Sequence, residues 1–65
     1  MLGFYNSLQE ARLVNPSASL VEVEYGVAAY GTETEARRQQ AAGGGILHSE
    51  KWAYPVSVVE EEISR

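Results

Sequence analysis

The spacing of apolar positions along this chain changes several times, and each change marks an element. Phe4, Leu8 and Ala11 recur at i, i+4 and i+7, while Asn6, Gln9, Glu10 and Arg12 fall elsewhere on the cylinder, which predicts a short amphipathic helix over Phe4 to Val14. Asn15-Pro16-Ser17 ends it, because the residue before a proline is pushed out of the helical region and Asn and Ser favour turns. From Leu20 to Tyr30 the period falls to two. Val21, Val23, Tyr25, Val27 and Ala29 share one side and Glu22, Glu24 and Gly26 the other, which predicts one long strand.

Gly31-Thr32 breaks that strand. Thr32 stands three residues before Glu35, the spacing of a capping box, so a second helix is expected to start there, run to Ala42 and stop at Gly43-Gly44-Gly45. Its side facing the sheet is mostly alanine, which predicts a close approach. Ile46 and Leu47 open a second extended stretch reaching Lys51. Trp52, Tyr54, Val56 and Val58 then alternate with Ala53, Pro55, Ser57 and Val59, giving a third strand with one heavy apolar face. Pro55 cannot donate to a ladder and argues for an edge strand or a bulge. The tail Glu60 to Arg65 is expected either to extend the strand or to fray. The order α-β-α-β-β points to a small α+β fold, a two-layer sandwich of a three-stranded antiparallel sheet and two helices, forming a single domain over 1–65.

Size alters what such a fold can do. With 65 residues, only about 60% of the unfolded chain's surface can be buried, and small domains compensate with disulfides, a metal, very regular packing or association. The chain has no Cys and one His, which removes disulfides, zinc–thiolate sites and paired-imidazole sites. No metal and no cofactor is expected, and a homodimer or an obligate complex becomes the remaining way to enlarge the core. The net charge of −4, from nine Glu, no Asp and five basic residues, opposes binding to a polyanion such as DNA or RNA. An apolar fraction of 45% places the chain among folding sequences. No apolar run approaches the roughly 18 residues of a membrane span, and the N-terminus lacks the pattern of a signal peptide. The expected location is the cytoplasm, with no membrane partner.

Catalysis is not expected. His48 is the only histidine, no Asp or Cys completes a triad, and no serine lies in a nucleophile-elbow pattern. A phosphate loop places its glycines before a helix, whereas this glycine triplet follows one. Glu22, Glu24 and the run Glu60 to Glu62 could hold a divalent cation or imitate DNA phosphates, but a solvated face and a guarded strand edge are the more frequent meaning of such residues. Arg37 and Arg38, on the exposed side of the second helix, could meet phosphate or carboxylate groups; an ordinary wet surface is the commoner role.

Tyr5, Tyr25, Tyr30, Trp52 and Tyr54 are many large rings for so short a chain, and Tyr and Trp are enriched at interface hot spots. Tyr25, Trp52 and Tyr54 are suited to fill the core from inward strand faces, and Tyr30, at a strand end, is the better interface residue. Tyr30, Arg37, Arg38, Trp52 and Tyr54 together form the candidate protein interface.

The stretch Val27-Ala28-Ala29-Tyr30-Gly31-Thr32-Glu33-Thr34-Glu35-Ala36-Arg37, followed by a glycine stop and a Val-rich closing strand, resembles a pattern in very small phage and plasmid proteins. It looks like the DpnD/PcfM-type β-α-β-β unit, which is similar to the fold of some anti-CRISPR proteins, over residues 20 to 60. The helix before Val21 departs from that unit, and no functional residue carries over. The resemblance implies a non-enzymatic protein of a mobile element that binds a larger host protein or complex, such as a bacterial CRISPR-Cas-like defence assembly, and inhibits it by steric occlusion. A self-assembling structural or adaptor subunit and a nucleic-acid-binding regulator using Arg12, Arg37 and Arg38 are the alternatives.

Overall fold

A computed structural model describes residues 1–59 of the chain. The tail expected to extend or fray, Glu60 to Arg65, lies outside the described residues, as does the acidic run Glu60 to Glu62. The elements are β1 (Gly3–Tyr5), α1 (Leu8–Val14), β2 (Ser19–Val23), β3 (Gly26–Tyr30), α2 (Glu33–Ala42), β4 (Ile46–His48), β5 (Lys51–Ala53) and β6 (Pro55–Val58). The fold is α+β with two helices, as the patterning predicts. The sheet is not the expected three-stranded one: four antiparallel strands run in the order β1-β3-β2-β6, and β4 and β5 form a separate two-stranded sheet.

Four local departures account for that correction, one of them a break at Tyr54 that divides the expected strand Trp52 to Val59 into β5 and β6 of separate sheets. The predicted first helix begins at Leu8, because Ser7 is its N-cap and accepts from Glu10 N at 3.1 Å; Gly3 to Tyr5 instead pair with the edge of β3. The predicted long strand folds back on itself at Glu24-Tyr25 into a hairpin, with Val23 opposite Gly26 and Leu20 opposite Ala29. The stretch from Ile46 to Ala53 likewise turns at Ser49-Glu50, which pairs Leu47 with Trp52. Pro55 opens β6, an edge strand whose register with β2 shifts between Glu22 and Val23, so it is accommodated by both an edge and a bulge.

The second helix forms as its local signals require. Thr32 accepts from Glu35 N at 3.1 Å, and Gly43, at φ 69°, takes the left-handed conformation while its N–H donates to Gln39 O at 3.3 Å.

Because a two-residue turn reverses which residues share a face, the four-stranded sheet is apolar on both sides. Val21, Val23, Ala28 and Tyr30 gather with Ala36 of α2 and Ala53 of β5 on one face. Leu20, Val27 and Ala29 gather with Ala11 of α1 on the other, where Tyr5, Leu8, Ala18 and Val59 add cover. The helices therefore lie on opposite faces in three layers, where two layers were expected. Five of the ten buried apolar residues among those described are alanine, and Val21 is the largest side chain fully buried.

Candidate functional site

The β4–β5 hairpin separates its side chains cleanly into two groups. On its inner face Ala53 is fully buried and Ile46 packs beside it against the α2-side core. His48 stacks on Phe4 of β1, with ring centroids 4.0 Å apart and planes 19° apart. Phe4 in turn meets Tyr25 of the β2–β3 turn at 6.1 Å in a tilted pair. Tyr25 closes the group by donating its hydroxyl to His48 O at 3.2 Å, and the Lys51 ammonium lies 5.8 Å from the Tyr25 ring centroid. Partial desolvation raises the Tyr25 hydroxyl above its ordinary 10.0, and the nearby Glu24 carboxylate adds to the rise. Glu24 also reaches across to accept from Tyr54 N at 3.4 Å. Three rings and two polar contacts thus hold the hairpin onto the sheet.

The outer face is different. Leu47 is 59% exposed, Trp52 56%, Tyr54 49% and Val56 59%. The Trp52 and Tyr54 rings both lie against Gly45: a Cβ there would come within 2.9 Å of Trp52 Cε3 and 2.8 Å of Tyr54 Cε1. The glycine lets two large rings approach the backbone that precedes β4 closely. The result is an apolar stripe in which Leu47 stands across the ladder from Trp52 and Tyr54 lies with Trp52 over Gly45, with the exposed Val56 on the β6 strand that follows. At roughly half exposure the four side chains present on the order of 400 Å² of surface. Covering it is worth about 10 kcal/mol gross at 25 cal/mol per Å², before the cost of association.

The hairpin turn is under backbone constraint. Ser49 and Glu50 adopt φ 54° and 64°, the left-handed pair of a type I′ turn, at positions that favour Asn and Gly. The stripe is therefore presented on a hairpin whose tip is held in a conformation its own residues disfavour.

These positions reorder the aromatic expectations. Tyr30, expected at an interface, is 4% exposed in the α2-side core, where burial first and the Glu35 carboxylate second raise its hydroxyl above the ordinary 10.0. Trp52, Tyr54 and Tyr25, suited by pattern to fill the core, are the exposed rings. The expected phase is reversed in β5, where Ala53 points inward, while Val58 of β6 packs against the same core as expected. Trp52 and Tyr54 come together over Gly45. Arg37 binds Glu33 Oε2 through Nε at 2.9 Å and Nη2 at 2.6 Å, an exposed i, i+4 pair, and Arg38 is exposed beside it on α2. The link from that helix to the stripe is Gln40, one turn beyond Arg37, whose Nε2 donates to Val56 O at 3.4 Å.

Leu47 belongs to the stripe and was not singled out by the sequence, whereas Val56 was grouped with Trp52 and Tyr54 as an apolar strand face and not as a contact surface. The available signal was a polar dipeptide, Ser49-Glu50, centred between Leu47 and Trp52, the spacing of a two-residue hairpin. Glu22 and Glu24, expected on one strand face, are divided: Glu22 remains on β2, while Glu24 sits in the turn against Tyr54 N. Among the described residues no three His, Cys, Asp or Glu side chains are grouped to hold a metal ion, and no helix is long and apolar enough to cross a membrane. Comparison with protein-family models, curated proteins and solved structures returned no match.

Proposed function

We propose that this protein is a non-enzymatic binding module that acts by covering a surface of a larger protein with the outer face of its β4–β5 hairpin. One observation carries the reading: five of the ten buried apolar residues among those described are alanine, while Leu47, Trp52, Tyr54 and Val56, large side chains that a folding core would ordinarily take first, are displayed. Trp and Tyr supply wide, rigid contact area with a polar tip, the properties that make them hot-spot residues. Arg37 and Arg38 extend the contact along α2, next to the Val56 end of the stripe. The resemblance over residues 20 to 60 supplies the class of partner, a bacterial host complex of the CRISPR-Cas kind, and the mode, inhibition by steric occlusion.

Site-specific cross-linking tests the reading. A photoreactive phenylalanine analogue placed at Trp52, and separately at Gln9 on α1, is irradiated in bacterial lysate. The expected result is a discrete larger adduct from position 52 that position 9 does not give. The same adducts from both positions, or none from position 52, would overturn the assignment of the stripe as the binding surface.

A further inference from the structure

Resting on that binding reading, we infer that the occupant of the stripe is a cationic amphipathic segment of another protein, and not a second copy of this chain. The area argues first. About 400 Å² is half of the roughly 800 Å² that each partner gives to a standard interface, so two stripes face to face fall short of a stable dimer. A narrow segment covers the same area, which suffices for the weaker, transient class of contact and not for a stable dimer. Leu47 opposite Trp52, with Tyr54 two residues further on, makes a patch about 7 Å long along the chain, about one turn of helix, which takes anchors at i and i+4.

Charge argues second. The carboxylates at the rim are Glu24, bound at Tyr54 N, and Glu50 at the hairpin tip, both exposed. Of the neighbouring cations, Lys51 lies over the Tyr25 ring and Arg37 is bridged to Glu33, while the exposed Arg38 stands on α2 at the Val56 end, so the carboxylates set the charge at the hairpin end of the stripe. A second copy would bring a net charge of −4 against −4 and set these carboxylates against their own images. A segment with Lys or Arg flanking an apolar face meets apolar surface at its centre and carboxylates at its rim.

Trp52 is the only tryptophan, so its emission reports directly on the stripe. The probes are a short Leu/Lys amphipathic helical peptide and a Leu/Glu peptide of the same apolar pattern. The Leu/Lys peptide is expected to give a saturable blue shift that the Leu/Glu peptide does not, and to bind about tenfold more weakly in about 1 M salt, where the screening length is about 3 Å. Leu47→Ser and the pair Glu24→Gln with Glu50→Gln, each confirmed folded by circular dichroism, should both weaken it, and Leu13→Ser on α1 should not. Equal shifts with both peptides, or full affinity in the double Gln variant, would overturn the inference. So would a blue shift of the protein alone that grows with concentration alongside a dimer mass in sedimentation, because the stripe would then be covered by a second copy. A chain inert to the Leu/Lys peptide that still cross-links at position 52 refutes the cationic occupant and leaves the binding surface standing; loss of the cross-link as well removes both.

Discussion

Replacing Ser49-Glu50 with Asn-Gly should stabilise this protein. Both residues sit in the left-handed region, at φ 54° and 64°, where a side chain crowds its own carbonyl. A non-glycine residue there costs about 1–2 kcal/mol. Glu50→Gly removes that strain and returns about 0.5–1 kcal/mol of it, because glycine loses more freedom on folding. Ser49→Asn contributes a further few tenths of a kcal/mol, Asn being enriched several-fold at positive φ. The sum is about 1 kcal/mol, and for a domain of this size 1 kcal/mol moves Tm by about 4–8 °C. Thermal unfolding followed by circular dichroism, with urea titration for the free energy, measures it. Ser49→Val with Glu50→Val is the opposite control, since a β-branched residue at positive φ is a severe outlier. If the Asn-Gly variant melts at or below the parent temperature while the Val pair is tolerated, the turn is not of this type and the hairpin's register must differ from the Leu47–Trp52 pairing. The same substitution should preserve or tighten binding through the stripe, because a hairpin set in its bound shape loses less entropy on association.

Tyr30 predicts the alkaline limit of the fold. Its hydroxyl is raised in the folded state, chiefly by burial, so the stability linked to it is complete below about pH 10 and is lost as pH rises through the folded value; Tyr30→Phe should flatten that decline in urea midpoints measured between about pH 9 and 12. Thr32→Ala removes the acceptor for Glu35 N and should cost about 1 kcal/mol, measured by urea unfolding, whereas Thr32→Ser should cost little. Gly45→Ala places a methyl against the exposed Trp52 and Tyr54 rings, which can swing outward; the expected result is a red shift of Trp52 emission with stability changed by less than about 1 kcal/mol, and an unshifted spectrum would contradict the packing of the rings on Gly45.

What the sequence made legible was local. Thr32, Glu35 and Gly43 fix α2 through contacts within three or four residues, and a cap needs no knowledge of the rest of the chain. The hairpins were hidden because Glu24-Tyr25 and Ser49-Glu50 lack the Gly and Asn that normally announce a tight turn. Without a turn, Val21, Val23, Val27 and Ala29 alternate as one strand face. With it, Val27 and Ala29 pass to the side opposite Val21 and Val23, and each face gains its own helix. The run Val27-Ala28-Ala29-Tyr30 carried that information, since an uninterrupted apolar strand is the pattern of burial on both faces. Phe4 fell into helical register with Leu8 and Ala11 by spacing alone, and a three-residue edge strand is too short to contradict it. At the candidate site, Trp52 and Tyr54 were legible as residues but not as a surface, because their direction depends on whether the chain turns at Ser49.

The alanine core and the aromatic stripe are two results of one packing choice. Ala28, Ala36 and Ala53 occupy the same cluster beneath α2, and Ala11 and Ala29 the corresponding one beneath α1, so both helices approach the sheet closely. Interiors are packed nearly without voids, and adding even a few methylenes forces shifts costing about 1–3 kcal/mol. Tyr30 already fills the α2-side cluster, so no space remains there for a second ring the size of Trp52 or Tyr54. Reversing the phase of β5 would bring Trp52 to the place of Ala53, against Val21 and Ala36, and overfill the cluster. The small residues thus exclude the large ones and fix which side of the hairpin faces outward. The stripe is the face left over when the interior is filled correctly, and its chemistry is set by the two carboxylates, Glu24 and Glu50, that stand at its rim.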